Sequence, residues 1–145
     1  MQQLPHHYSV DAEGQTTGDV TVSADGLPSL ATDAPAEFGG PGDRWSPETL
    51  MMAAVADCFI LSFRAVARAS KFEWEALNCQ VTGVLDKQDG AIRFTELVVR
   101  PSLTLADGAD QEKAERLLEK AKKVCLISNS MTAATRLELD IREAA

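Results

Sequence analysis

Apolar and polar positions fall into blocks with two different periods. The longest apolar block is Leu50 to Phe63, in which only Asp57 and Ser62 are polar. The residues before it are a helix start. Ser46 can cap the free N–H groups of a first turn, Pro47 loses nothing by lacking an N–H at the first helical position, and Glu48 complements the helix dipole. The pattern predicts one long helix from Pro47 to Ala69. A helix apolar almost all round is expected in a core. The block is fourteen residues long, is interrupted by Asp57 and is followed by Arg64 and Arg68, so no membrane span is expected. Asp57, Leu61, Arg64 and Arg68 share one stripe, the expected wet side. Cys58 lies about 100° round from Asp57, at the border of the apolar face.

Alternation with period two marks the strands. His6, His7, Tyr8 and Val10 make a weak strand, Asp19 to Ser23 a clean one, and Leu27 to Leu30 a short third after the Ala24-Asp25-Gly26 turn. The three predict an antiparallel meander. Asp33 to Asp43, with Pro35, Gly39, Gly40, Pro41 and Gly42, is a loop whose glycines allow close approach to what it covers. Beyond the helix, Leu77 to Leu85 and Ile92 to Leu105 are strands joined by a hairpin turn at Asp89-Gly90, with Pro101 at a bulge or an edge. A second helix is expected from Gln111 to Val124. Its stripe Ala114, Leu117, Leu118, Ala121 points inward and continues to Cys125, and Glu112–Arg116 and Glu119–Lys123 are favourable pairs. Leu126 to Thr132 connects to a last strand, Arg136 to Arg142, with Leu137, Leu139 and Ile141 inward. Antiparallel sheets around a long buried helix make the fold class α+β, expected as one domain over residues 1–145.

Net charge sharpens this picture more than composition does. A formal charge of −8 disfavours nucleic acid, which needs a basic surface. No signal peptide opens the chain, so the expected compartment is the cytoplasm, where Cys58, Cys79 and Cys125 are reduced at rest. There is no CxxC pair, and the histidines are only His6 and His7, so no metal site is expected. Cysteine is most often a small buried hydrophobe, and Cys79 within its strand fits that role. Cys58 and Cys125, on two helices with inward faces, are the pair whose sulfurs could meet.

Pro47-Glu48, the Ala-rich helix, Asp57-Cys58-Phe59 and the later Cys125-Leu126-Ile127-Ser128-Asn129-Ser130 resemble the OsmC/Ohr superfamily of osmotically inducible and organic hydroperoxide resistance proteins. The resemblance implies a thiol peroxidase on the OsmC/Ohr-like fold. Cys58 would be peroxidatic and Cys125 resolving, with an organic hydroperoxide as substrate and an external lipoyl-type dithiol as reductant. It implies no bound cofactor and no metal. Trp45, Met51, Met52, Phe59 and Phe63 are available for an apolar pocket, although ordinary core is the commoner use of such residues.

The family activates its thiol with an arginine held by the glutamate that matches Glu48. Ten helical residues rise about 15 Å, so Glu48 cannot touch Cys58 on the same straight helix. Either the helix breaks or Glu48 comes from a second subunit, and the resemblance implies the latter, an intertwined homodimer. The family's arginine lies in the N-terminal strands, where this chain has no arginine or lysine before Arg44 and carries Gln15 instead. Arg44, just ahead of Glu48, is the candidate substitute. The alternative to a peroxidase is a small-molecule or thiol-ligand binding protein on the same fold.

Overall fold

The computed structural model describes all 145 residues, which divide into two compact units, Met1–Leu50 and Met51–Ala145. The first is an antiparallel meander of β1 (Asp11–Glu13), β2 (Val20–Ser23) and β3 (Leu30–Thr32), in that order. The first ten residues are exposed and irregular, so the strand expected over His6 to Val10 starts at Asp11 instead. The turn-rich stretch after β1 leads into this register, whose innermost pair is Glu13 with Thr21. β3 also lies later than Leu27–Leu30. Pro28 has no N–H to donate to a ladder, and pairing begins at Leu30 opposite Val22. Thr32 donates its hydroxyl to the Val20 carbonyl at 3.2 Å. In the loop that follows, a Cβ on Gly40 would fall 1.7 Å from the Ala34 carbonyl oxygen. The close approach made here is of the loop to its own backbone.

α1 runs from Pro47 to Ala69, beginning in the last residues of the first unit. Its start is a reciprocal cap. Thr49 N–H donates to Ser46 Oγ at 3.1 Å, and Ser46 N–H donates to Thr49 Oγ1 at 2.9 Å. α1 is long and apolar enough to cross a membrane, but Val55, Phe59, Phe63, Val66 and Ala67 are buried in a protein core. The expected stripe Asp57, Leu61, Arg64, Arg68 is exposed. So are Met51 and Ala65, which makes α1 a core helix on one face only.

The second unit is built on a hairpin of β4 (Trp74–Gln88) and β5 (Ala91–Leu105). Asp89 and Gly90 have φ of 51° and 79°, the two left-handed positions of a two-residue turn, and Gln88 pairs with Ala91 across it. β5 carries the core residues Leu97, Val99, Leu103 and Leu105. α2 (Gln111–Val124) starts at Asp110, whose carboxylate accepts from Lys113 N–H, and buries Ala114, Leu117, Leu118 and Ala121 as expected. Of its two expected ion pairs Glu112–Arg116 closes, at 4.0 Å, and Glu119–Lys123 does not. The connector holds a short α3 (Leu126–Asn129).

The chain then departs from the expected antiparallel pattern. Two strands, β6 (Ala134–Leu137) and β7 (Asp140–Glu143), replace the single one, and both run parallel to β5. The reason is the crossover: α2 carries the chain back toward the beginning of β5, so the next strand runs the same way. The ladder changes partner between Val99 and Ser102. Pro101, which has no N–H to offer, is buried at that change inside a central strand. It pairs with Cys79 without a bulge and is not at an edge. Leu139 sits opposite the break and is 37% exposed, while Leu137 and Ile141 pack on the core.

Candidate functional site

Two helices bring the chemistry together within the second unit. Cys58 sits midway along α1, half-buried. α2 delivers Cys125 at its C-terminal cap, where the inward stripe ends and the residue is 1% exposed. The turn after it is pinned by Ser128 Oγ and Asn129 N–H, which donate to the Cys125 carbonyl at 3.2 and 3.0 Å. All three cysteines are free thiols.

Burial pushes the Cys125 thiol up from its ordinary range. Hydrogen bonds from Ser128 oppose this, and Cys58, close enough to act both as a hydrogen-bond partner and as a charge, adds to it. The two thiols are thus close enough for each to feel the other's protonation. Cys79 fills its strand position as expected. It packs on the core beside Leu77 and Val81, and its thiol is pushed up to about 12, by burial first and then by the charge of Cys125. Cys125 thus acts on Cys79 and is acted on by Cys58, which the strand pattern around Cys79 could not reveal.

One polar neighbour of Cys58 went unrecognised. Ser62 Oγ lies 3.9 Å from Cys58 Sγ, one helical turn on. The signal was its i, i+4 spacing from Cys58, visible along the helix.

Glu48 is half-buried in the first turn of α1, and its Oε2 is buried without a hydrogen-bond partner. Arg44 is not its partner. The Arg44 Nε donates to Asp19 at 3.1 Å and Nη1 lies 3.5 Å from Asp43, and Asp19 holds the guanidinium above its ordinary value. Of the five residues considered for an apolar pocket, Phe59 and Phe63 are core, and Met52 is half-buried over Gly83, where a Cβ would fall 2.5 Å from its sulfur. Trp45 and Met51 remain 48% and 42% exposed. Met51 lines a surface pocket of about 360 Å³ with Phe94, Met131, Ala133 and Arg93. No group of three or more His, Cys, Asp or Glu side chains is arranged to hold a metal ion.

Two thiols in mutual reach, one half-open and one sealed, can exchange between dithiol and disulfide. Known proteins share this frame. The family model for OsmC-like protein matches residues 40–140. The organic hydroperoxide resistance protein of Xanthomonas axonopodis pv. citri is 32% identical over 123 residues, covering 83% of this chain and 80% of its own. Among solved structures, an OsmC-like protein of unknown function from Vibrio cholerae superposes with a TM-score of 0.84 at 19% identity, over 93% of this chain and 99% of its own. An organic hydroperoxide resistance protein from Legionella pneumophila gives 0.71 at 29% identity, over 95% and 99%. The α+β fold is that of the OsmC/Ohr proteins, and this chain, a divergent member at these identities, belongs to the OsmC-like family.

Proposed function

We propose that the chain is a cysteine-based peroxidase for organic hydroperoxides. The observation that carries this reading is the meeting of the Cys58 and Cys125 thiols at the ends of two independent helical arguments. The Cys58 thiolate attacks the distal oxygen of ROOH. The O–O bond breaks, RO⁻ takes a proton and leaves as ROH, and Cys58 becomes a sulfenic acid. The Cys125 thiol then displaces water from that sulfur, and a Cys58–Cys125 disulfide forms. Two electrons from an external dithiol of lipoyl type, through a mixed disulfide, return both thiols. No bound cofactor or metal takes part, and the working compartment is the reducing cytoplasm.

In the same reading the active form is a homodimer. The exposed apolar positions of α1, Met51 and Leu61, are covered by the second copy. Glu48, with an unpartnered buried oxygen and about 15 Å of helix between it and Cys58, serves the thiol of the other copy. A solution mass of twice 15.6 kDa is expected by light scattering.

The test is the reaction of reduced protein with cumene hydroperoxide and hydrogen peroxide, followed by thiol titration and intact mass. The expected result is rapid loss of two thiols, faster with the organic peroxide. Cys58→Ser abolishes consumption, and Cys125→Ser stops after one turnover with a trapped sulfenic acid. Undiminished consumption by Cys58→Ser refutes the reading. One observation favours a second reading, a non-catalytic binder of thiol or apolar ligands: no arginine or lysine precedes Arg44, and Arg44 is engaged by Asp19 and Asp43. Reaction no faster than that of a free thiol, with saturable ligand binding by thermal shift, would establish it instead.

A further inference from the structure

A cysteine in the middle of a helix receives little from the helix dipole, which acts within the first and last turns. Its thiolate must be stabilised by neighbours. Within the second unit, the titratable group that another element brings against Cys58 is the Cys125 thiol, which carries no positive charge. On α1 itself, Asp57 and Arg64 lie on the exposed stripe. Beside the sulfur, on its own helix, is a hydroxyl. Ser62 Oγ lies 3.9 Å from Cys58 Sγ, both side chains are half-buried, and the sulfur is the hydroxyl's hydrogen-bond partner. A mid-helix serine commonly turns its hydroxyl back to the carbonyl four residues earlier; this one bonds the side chain at that position.

We propose that Ser62 is a further catalytic residue, its hydroxyl donating a hydrogen bond to the Cys58 thiolate and so performing part of the work for which the family uses a cation. This rests on the peroxidase reading above. The direction of the bond is fixed by chemistry. With a neutral thiol either group can donate, but a thiolate has no proton, so ionisation makes Ser62 the donor. A bond to an ionised acceptor is shorter and stronger than a neutral one, so the contact tightens as the nucleophile forms. When the sulfur becomes a sulfenic acid the charge is gone, and the hydroxyl can accept from the S–OH group while Cys125 approaches.

The experiment compares unaltered protein, Ser62→Ala and Ser62→Thr. It follows iodoacetamide alkylation of Cys58 against pH by peptide mass, sulfenic acid formation with cumene hydroperoxide at pH 7, and helicity by circular dichroism. Ser62→Ala is expected to move the alkylation midpoint upward by about one pH unit, the size of one hydrogen bond to a charged group, and to slow sulfenic acid formation by up to about tenfold. Ser62→Thr, which keeps the hydroxyl, restores both. An unchanged midpoint in Ser62→Ala overturns the proposal, and so does an equal shift in Ser62→Thr, which would trace the effect to packing. If the unaltered protein fails to reduce hydroperoxides while Ser62→Ala still moves the midpoint, the peroxidase reading falls and the serine–thiolate contact is supported on its own.

Discussion

The two units of the chain differ in what they bury. Met51–Ala145 holds the whole apolar core, from Val55 on α1 to Ala121 on α2. Met1–Leu50 holds none of it. Its two buried residues, Thr32 and Ser46, are polar, and Leu27, Phe38 and Trp45 stand 66%, 58% and 48% exposed. A three-stranded meander without a covered apolar face has little to hold it. The first unit thus exposes its large apolar side chains, and the second is built around a buried core. The same contrast recurs along α1, whose Phe59 face is sealed and whose Leu61 side is open.

The largest test of this contrast is a pair of truncations. Phe63 is fully buried and meets Trp74 edge to face at 5.3 Å. Phe63→Ala is expected to lower unfolding free energy in urea by about 3–5 kcal/mol. Phe38→Ala, in the exposed unit, should change it by no more than about 0.5 kcal/mol at protein concentrations that keep the chain monomeric. Equal losses would break the comparison.

Alkaline pH sharpens it next. The Cys79 thiol is raised to about 12 from 9.0, so the folded protein holds that proton more tightly than the unfolded chain does. The stability this gives is complete below pH 9 and is lost progressively as pH rises toward 12. Urea midpoints taken across that window should fall less steeply in Cys79→Val. Below pH 9, Cys79 in the folded protein should alkylate far more slowly than in urea, because burial lowers its thiolate fraction. The smallest effect is at the helix start. Ser46→Ala removes one acceptor of the reciprocal cap and should cost about 1 kcal/mol, read from the same urea titrations.

What could be read from the sequence was what is local. The start of α1 at Ser46-Pro47, the turn at Asp89-Gly90 and the stripe of α2 ending on Cys125 each depend on residues a few positions apart, and each is where the pattern puts it. That Cys58 and Cys125 sit near enough to influence one another could be expected from an inward stripe on α2 and the border of the apolar face on α1. What could not be read depends on distant partners. The parallel docking of β6 and β7 is fixed by the path of α2, and it alone decides that Leu139 stays outward and Pro101 lies inside. Alternation near Cys79 showed its face but not that Cys125 would stand behind it. Ser62 is legible by its spacing from Cys58, but a single hydroxyl in an apolar run reads as an interruption rather than a contact.

The β4–β5 hairpin has a consequence in time. Fifteen residues face fifteen across a two-residue turn, so pairing can start at Gln88 and Ala91, with almost no loop to close, and zip outward. β6 and β7 have no such shortcut. They must wait for β5 and for the crossover that α2 provides, which orders them last. Cys125 lies on that late crossover, while Cys58 and Cys79 belong to α1 and to the early hairpin. On that order, Cys125 is the last of the three thiols to take its place beside the others.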